Sequence, residues 1–221
     1  SGYETTGERV ALKDVQLLPP TLPTSKIVCI GKNYLDHVGE MGLALNPEPT
    51  IFFKPSSSIV GPGDAIVLPQ QSNQVELEVE LTVVMGQIAK NVSEKDALNY
   101  VWGFTIANDV TARDLQATDD QWARAKAFDT FCPLGPWIET EFVPDGQVLE
   151  SRIDGETKQQ ASIESMIHNI PKVISYVSHN MTLLPGDIIL TGTPAGITKI
   201  QSGEIIECEI EGIGTLINPV V

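Results

Sequence analysis

Cysteine is scarce in this sequence: Cys29, Cys132 and Cys208 are odd in number, far apart and form no CxxC pair. That argues against a disulfide framework and a thiolate zinc site, and points to a reducing, cytoplasmic setting. Long apolar runs are missing too, since stretches such as Ile188-Ile189-Leu190 fall far short of the roughly 20 residues of a membrane span. No basic segment followed by an apolar stretch opens the chain, so nothing supports secretion. Positive charge is in short supply: 14 Lys and Arg against 29 Asp and Glu leave a net charge of -15. Such a surface repels nucleic-acid phosphates and anionic lipid head groups, so neither nucleic acid nor membrane is an expected partner.

What is present is a globular composition, 42% hydrophobic and 19% charged over 221 residues, enough for one large domain or two small ones. Residues 1–25 carry Pro19-Pro20 and Pro23 and little periodicity, and read as a lead-in segment or the end of a truncated N-terminal domain; the compact domain is placed at 26–221. Apolar alternation and turn residues predict strands near 26–31, 50–54, 65–68, 75–85, 102–109, 135–139, 188–191, 205–210 and 215–217. Helices are expected at 33–41, 94–100, 115–126 and 162–179, the last broken or restarted by Pro171. Strands dominate and do not alternate regularly with helices, which gives an α+β class and argues against a doubly wound sheet. Gly61-Pro62-Gly63-Asp64 and Leu184-Pro185-Gly186-Asp187 echo each other as tight turns that launch strands.

Three constellations carry candidate chemistry. Between Val75 and Val83, Glu76, Glu78 and Glu80 alternate with apolar residues and share one strand face, about 6.5–7 Å apart. They form either an acidic solvated face or a site where two carboxylates lean onto one hard cation. Glu207, Glu209 and Glu211 repeat the pattern near the C-terminus with no companions and serve as a control. Asp109 ends a strand-like run, Trp102-Gly103-Phe104-Thr105-Ile106-Ala107-Asn108-Asp109, as either a turn cap or a metal ligand. His37 and Glu40, at i and i+3 of a short helix, form either a surface contact or a carboxylate-held general base. His168 and His179 lack comparable neighbours and read as structural.

Gly31-Lys32-Asn33-Tyr34 with His37 and Glu40, then the run from Glu78 to Gly86, then Asn108-Asp109-Val110-Thr111-Ala112-Arg113-Asp114, then Thr191-Gly192-Thr193-Pro194, together resemble the fumarylacetoacetate hydrolase family. The resemblance runs from about Lys26 to the C-terminus. It implies a mixed β-roll or β-sandwich of the family's catalytic-domain type, a homodimer, and Mg²⁺ or Mn²⁺ on three carboxylates. Carried over, the ligands fall on Glu78, Glu80 and Asp109, with Glu76 outside the pattern. The catalytic His and Glu fall on His37 and Glu40, and the active-site lysine on Lys126. Arg113, Gln116, Lys54 and Thr193 match positions that line or support the pocket.

All-oxygen ligands favour a hard ion, and three carboxylates leave about three octahedral positions for water and substrate. A small anionic 2-oxo acid is the implied substrate, drawn into an acidic protein by Lys126, Arg113 and Lys54. The expected reaction is hydrolytic C–C cleavage of a 2,4-dioxo acid of acylpyruvate or fumarylpyruvate type through a metal-stabilised enolate. The alternatives are 2-hydroxyhepta-2,4-diene-1,7-dioate isomerisation or decarboxylation, or oxaloacetate decarboxylation, in aromatic-acid catabolism. Outside catalysis, the competing class is an acidic, β-rich binding module.

Overall fold

The strand β1 (Ile27–Gly31) sends Val28 and Ile30 into one apolar cluster and Ile27 and Cys29 into another. That is the two-residue period of a strand buried on both faces. This computed structural model describes residues 6–35 and 47–221. In chain order β1 is followed by β2 (Thr50–Lys54), β3 (Ile59–Val60), β4 (Val75–Leu77), β5 (Val79–Met85), β6 (Val101–Asn108) and β7 (Thr111–Ala112). After two short helices, α1 (Arg113–Thr118) and α2 (Ala123–Lys126), come β8 (Cys132–Glu139), β9 (Val148–Ile153) and β10 (Glu156–Ser162). The helix α3 (Ile170–Asn180) precedes β11 (Ile188–Leu190), β12 (Thr198–Lys199), β13 (Ile205–Ile210) and β14 (Gly214–Pro219).

A seven-stranded mixed sheet has the order β2-β1-β11-β5-β6-β8-β3, with β1–β11 and β3–β8 parallel and the other pairs antiparallel. It curls strongly. Lys54 on β2 and Asp109 after β6 stand four strand positions apart, roughly 19 Å in a flat sheet at about 4.8 Å per strand. Yet Lys54 Nζ lies 2.6 Å from Asp109 Oδ1, so the sheet rolls until its strand ends converge. The antiparallel sheet β10-β9-β13-β14 packs against β5, β6 and β8 and adds Leu149, Ile153, Ile206, Cys208, Ile210 and Leu216 to the larger core cluster. A small sheet, β12-β4-β7, continues the β5–β6 pair beyond a corner at Glu78 and Asp109.

Several sequence expectations meet the structure with changes. The predicted strand at 75–85 breaks at Glu78, where the chain passes from one sheet into another. At 65–68 only an isolated bridge, Ile66 with Val220, forms. The helix expected at 115–126 is two helices, and Glu94–Tyr100 is a 3-10 helix. Pro171 sits in the first turn of α3, after the cap Asn169, whose side chain accepts from Lys172 N at 3.0 Å. The echoed turns are alike: Asp64 Oδ2 accepts from Gly61 N and Asp187 Oδ2 from Leu184 N, each at 2.8 Å. No helix among the described residues is long and apolar enough to cross a membrane.

Candidate metal and substrate site

Strand direction brings the sequence motifs together. Because β1 and β11 are parallel neighbours, Gly31-Lys32-Asn33 after one lies beside Thr191-Gly192-Thr193 after the other. Asn33 joins them: its Nδ2 donates to Thr191 O at 2.7 Å and His168 O at 3.0 Å, and its Oδ1 accepts from His168 N at 2.8 Å. The antiparallel β5 begins at this same end, and β6 finishes there, so Glu80 and Asp109 arrive at one corner.

The corner is tied down by backbone groups. Asp109 N donates to Glu78 O at 2.8 Å, and Glu78 N donates to Asn108 Oδ1 at 2.9 Å. Gln159, from β10, caps the start of β5: its Oε1 accepts from Val79 N at 3.0 Å, and its Nε2 donates to Thr193 Oγ1 and Pro194 O, both at 2.8 Å. Gly192 N donates to Glu80 Oε2 at 2.6 Å. Gly192 has φ +101, and a Cβ there would lie 2.7 Å from Asn33 Cβ, so only glycine fits this crossing.

Of the two acidic strands, the first is buried and the second is wet. Glu76 and Glu78 side chains are 8% and 5% exposed. Glu207 and Glu209 are 26% and 41% exposed and share Arg152 on the surface. The solvated-face reading is therefore correct for β13 and incorrect for the run from Glu76 to Glu80.

Cations meet most of the buried acids. Lys126 Nζ lies 2.9 Å from Glu78 Oε2 and 2.7 Å from Asp109 Oδ2. Lys54 Nζ contacts Asp109 Oδ1 and donates to Val110 O at 3.1 Å. Arg113 Nε pairs with Glu76 Oε2 at 2.7 Å, another guanidinium nitrogen with Glu78 Oε1, and a third donates to Gln116 Oε1 at 2.5 Å. Glu80 is in no ion pair among the described residues. Burial, with Asp109 and Glu78 beside it, pushes the Glu80 carboxyl well above the usual carboxylate range. Burial alone would strip the charge from Lys126, but Asp109 and Glu78 outweigh it and hold the ammonium protonated. Burial is likewise overcome at Arg113 by Glu78 and Glu76.

This arrangement fits a hard divalent ion. One oxygen each from Glu78, Glu80 and Asp109 lie within 4.8 Å of one another. An octahedral Mg²⁺ with bonds of about 2.1 Å needs donor oxygens about 3–4 Å apart, a small inward adjustment. Among the described residues four buried carboxylates, Glu76 included, face three cations, so a dication relieves the excess negative charge and leaves the site attractive to an anion. The cavity here, about 30 Å³, is lined by Gly31, Lys32, Phe52, Glu78, Glu80, Asp109, Arg113, Gln116, Trp122, Lys126 and Thr193. That encloses room for an ion, and the wider void of about 360 Å³ around it, open to solvent, takes the rest of a small ligand.

Glu78, Glu80, Asp109, Lys126, Arg113, Gln116 and Thr193 thus share one cavity, with Lys54 bound to Asp109 from behind. His37 and Glu40 lie outside the described residues. Sequence reasoning missed Glu76 as a partner of Arg113, although its place in the alternation offered the signal. It also missed Gln159, Phe52 and Trp122, which reach the site only through tertiary approach and leave no local pattern.

The family model described as fumarylacetoacetate (FAA) hydrolase C-terminal matches residues 26–221. A human protein named oxaloacetate tautomerase FAHD2A, mitochondrial, is 44% identical, the match covering 94% of this chain and 70% of that one. The crystal structure of a protein named 5-carboxymethyl-2-hydroxymuconate delta-isomerase from Mycobacterium smegmatis superposes with a TM-score of 0.91 at 46% identity, covering 98% of this chain and 86% of the other. A fumarylpyruvate hydrolase from Pseudomonas aeruginosa, solved with Mn²⁺ and pyruvate, gives 0.85 at 30% identity, covering 90% and 91%. With the curled strand-dominated fold, the ordered motifs and these matches in agreement, the chain belongs to the fumarylacetoacetate hydrolase family.

Proposed function

We propose that this protein is a Mg²⁺- or Mn²⁺-dependent enzyme that interconverts the enol and keto forms of a 2-oxo dicarboxylic acid such as oxaloacetate, or shifts a double bond by the same proton transfer. The observation that carries this reading is the buried triad Glu78, Glu80 and Asp109 beside Lys126 in a small polar cavity. The names of relatives at 44% and 46% identity, a tautomerase and an isomerase, support it. A divalent ion held by the triad supplies Lewis-acid stabilisation of negative charge on the 2-oxo oxygen.

The chain's own groups do the rest. Arg113 is clamped by Glu76, Glu78 and Gln116, so its remaining N–H groups are oriented before an anionic head arrives. Lys126, held by Glu78 and Asp109, presents its ammonium to the cavity as a donor and a positive charge. Thr193 Oγ1, fixed by its bond to Val79 O at 3.0 Å and by Gln159, lends the cavity a hydroxyl. His37, oriented by Glu40, is the proposed base that moves the proton at C3.

The test is the rate at which enol-oxaloacetate loses its enol absorbance. With Mg²⁺ the wild-type protein is expected to accelerate it, and chelator or Asp109→Asn to remove at least about 10²-fold of that acceleration. No acceleration by the Mg²⁺-loaded protein would refute the reading. Hydrolysis of an acylpyruvate is the second reading, favoured by the fumarylpyruvate hydrolase at 30% identity. In that reaction His37 would deprotonate the attacking water, and His37→Ala should slow cleavage by roughly 10²–10⁴-fold. Unchanged cleavage in that variant would remove His37 as the base.

A further inference from the structure

We infer that Lys32, with Trp122 beneath it, recognises the far carboxylate of the substrate and so selects 2-oxo dicarboxylic over 2-oxo monocarboxylic acids. This deepens the proposed function, since it takes the 2-oxo head to sit at the triad. Among the described residues three cations line the cavity. Arg113 pairs with Glu76 and Glu78, and Lys126 with Glu78 and Asp109. Lys32 is in no ion pair among the described residues; its Nζ stands 5.6 Å from the centroid of the Trp122 ring. An indole face attracts a cation weakly and cannot neutralise it, so the ammonium keeps its capacity for an anion.

The backbone holds Lys32 in this place. It has φ 61, a left-handed conformation that a non-glycine residue seldom adopts, between Gly31 in β1 and the anchored Asn33. Trp122 is fixed as well. It packs edge-on to Phe52, with centroids 5.3 Å apart, and sits so close to Gly31 that a Cβ there would lie 2.7 Å from the indole. Phe52 in turn lies 4.9 Å beneath Lys126 Nζ. The cavity therefore carries a sequence of cation, ring, ring, cation, from Lys126 through Phe52 and Trp122 to Lys32. An anionic 2-oxo head, an apolar or unsaturated middle and an anionic tail match that sequence group for group.

Calorimetric binding in the presence of Mg²⁺ tests the assignment with matched acids, 2-oxoglutarate against 2-oxovalerate and 2-oxoadipate against 2-oxohexanoate. Wild-type protein should prefer the diacid of at least one pair by about tenfold in Kd, the usual scale of a charge-assisted hydrogen bond. K32M should lose that preference while its Kd for the monoacid stays within about twofold, and K32R should retain it. No preference in the wild type, an undiminished preference in K32M, or equal loss of diacid and monoacid would each overturn the assignment. Absence of enol–keto turnover with the Lys32-dependent preference intact would remove the proposed function and leave this role standing.

Discussion

Asn33 serves the site from outside its lining, because its side chain closes three hydrogen bonds between the ends of β1 and β11 and the turn at His168. Asn33→Ala leaves those buried backbone groups unmatched and should cost about 2–4 kcal/mol, read from the urea midpoint at constant slope. A change below 0.5 kcal/mol would show that the junction holds without it. The cysteines behave oppositely. Cys29 is pushed well above its ordinary range by burial, and Cys132 and Cys208 are pushed up to about 12 by the same cause. At pH 8 the native protein should therefore be inert to a thiol-exchange reagent, with three thiols released on denaturation. Rapid native reaction would mean that the core around Cys29 and Cys132 opens readily.

At the scale of elements, the site exists because strands stop where they do. β5 and β6 pair as far as Val79 and Asn108, and β4 and β7 resume the pairing at Glu76 and Thr111. Glu78 and Asp109 stand in the corner between. Gly192→Ala tests this junction: the added methyl meets Asn33 at a φ of +101 and disturbs the N–H that holds Glu80. It should lower stability by about 2–4 kcal/mol and weaken divalent-ion binding together. Normal stability and normal ion binding would contradict the account of that crossing.

Much of this was legible in the residues. The Glu76–Glu80 alternation, the strand-end Asp109 and the four ordered motifs pointed to residues that the fold brings to one cavity. Local pattern could not tell that the acidic face of β5 is buried while that of β13 is wet, because burial there comes from the curl that carries Lys54 to Asp109. The β9–β10 hairpin did carry a local signal that the strand expectations left out: Asp154-Gly155, with φ of 50 and 80, is the turn that such hairpins use. Gln159 on that hairpin stayed hidden with it.

For the whole molecule, a net charge of -15 would repel the anionic substrate that the proposed function calls for. The conflict is resolved locally: Lys54, Lys126 and Arg113 are buried among the acids, and Lys32 stands at the same cavity. The proposed function turns on one ion at the triad. The most direct test is a titration of Mn²⁺ into wild-type protein, Glu80→Gln and Asp109→Asn, following the resonance of the free ion. A single tight site in the wild type, weakened at least about 10²-fold in both variants, is the predicted result. Absence of binding by the wild type, or equal affinity in all three proteins, would contradict it.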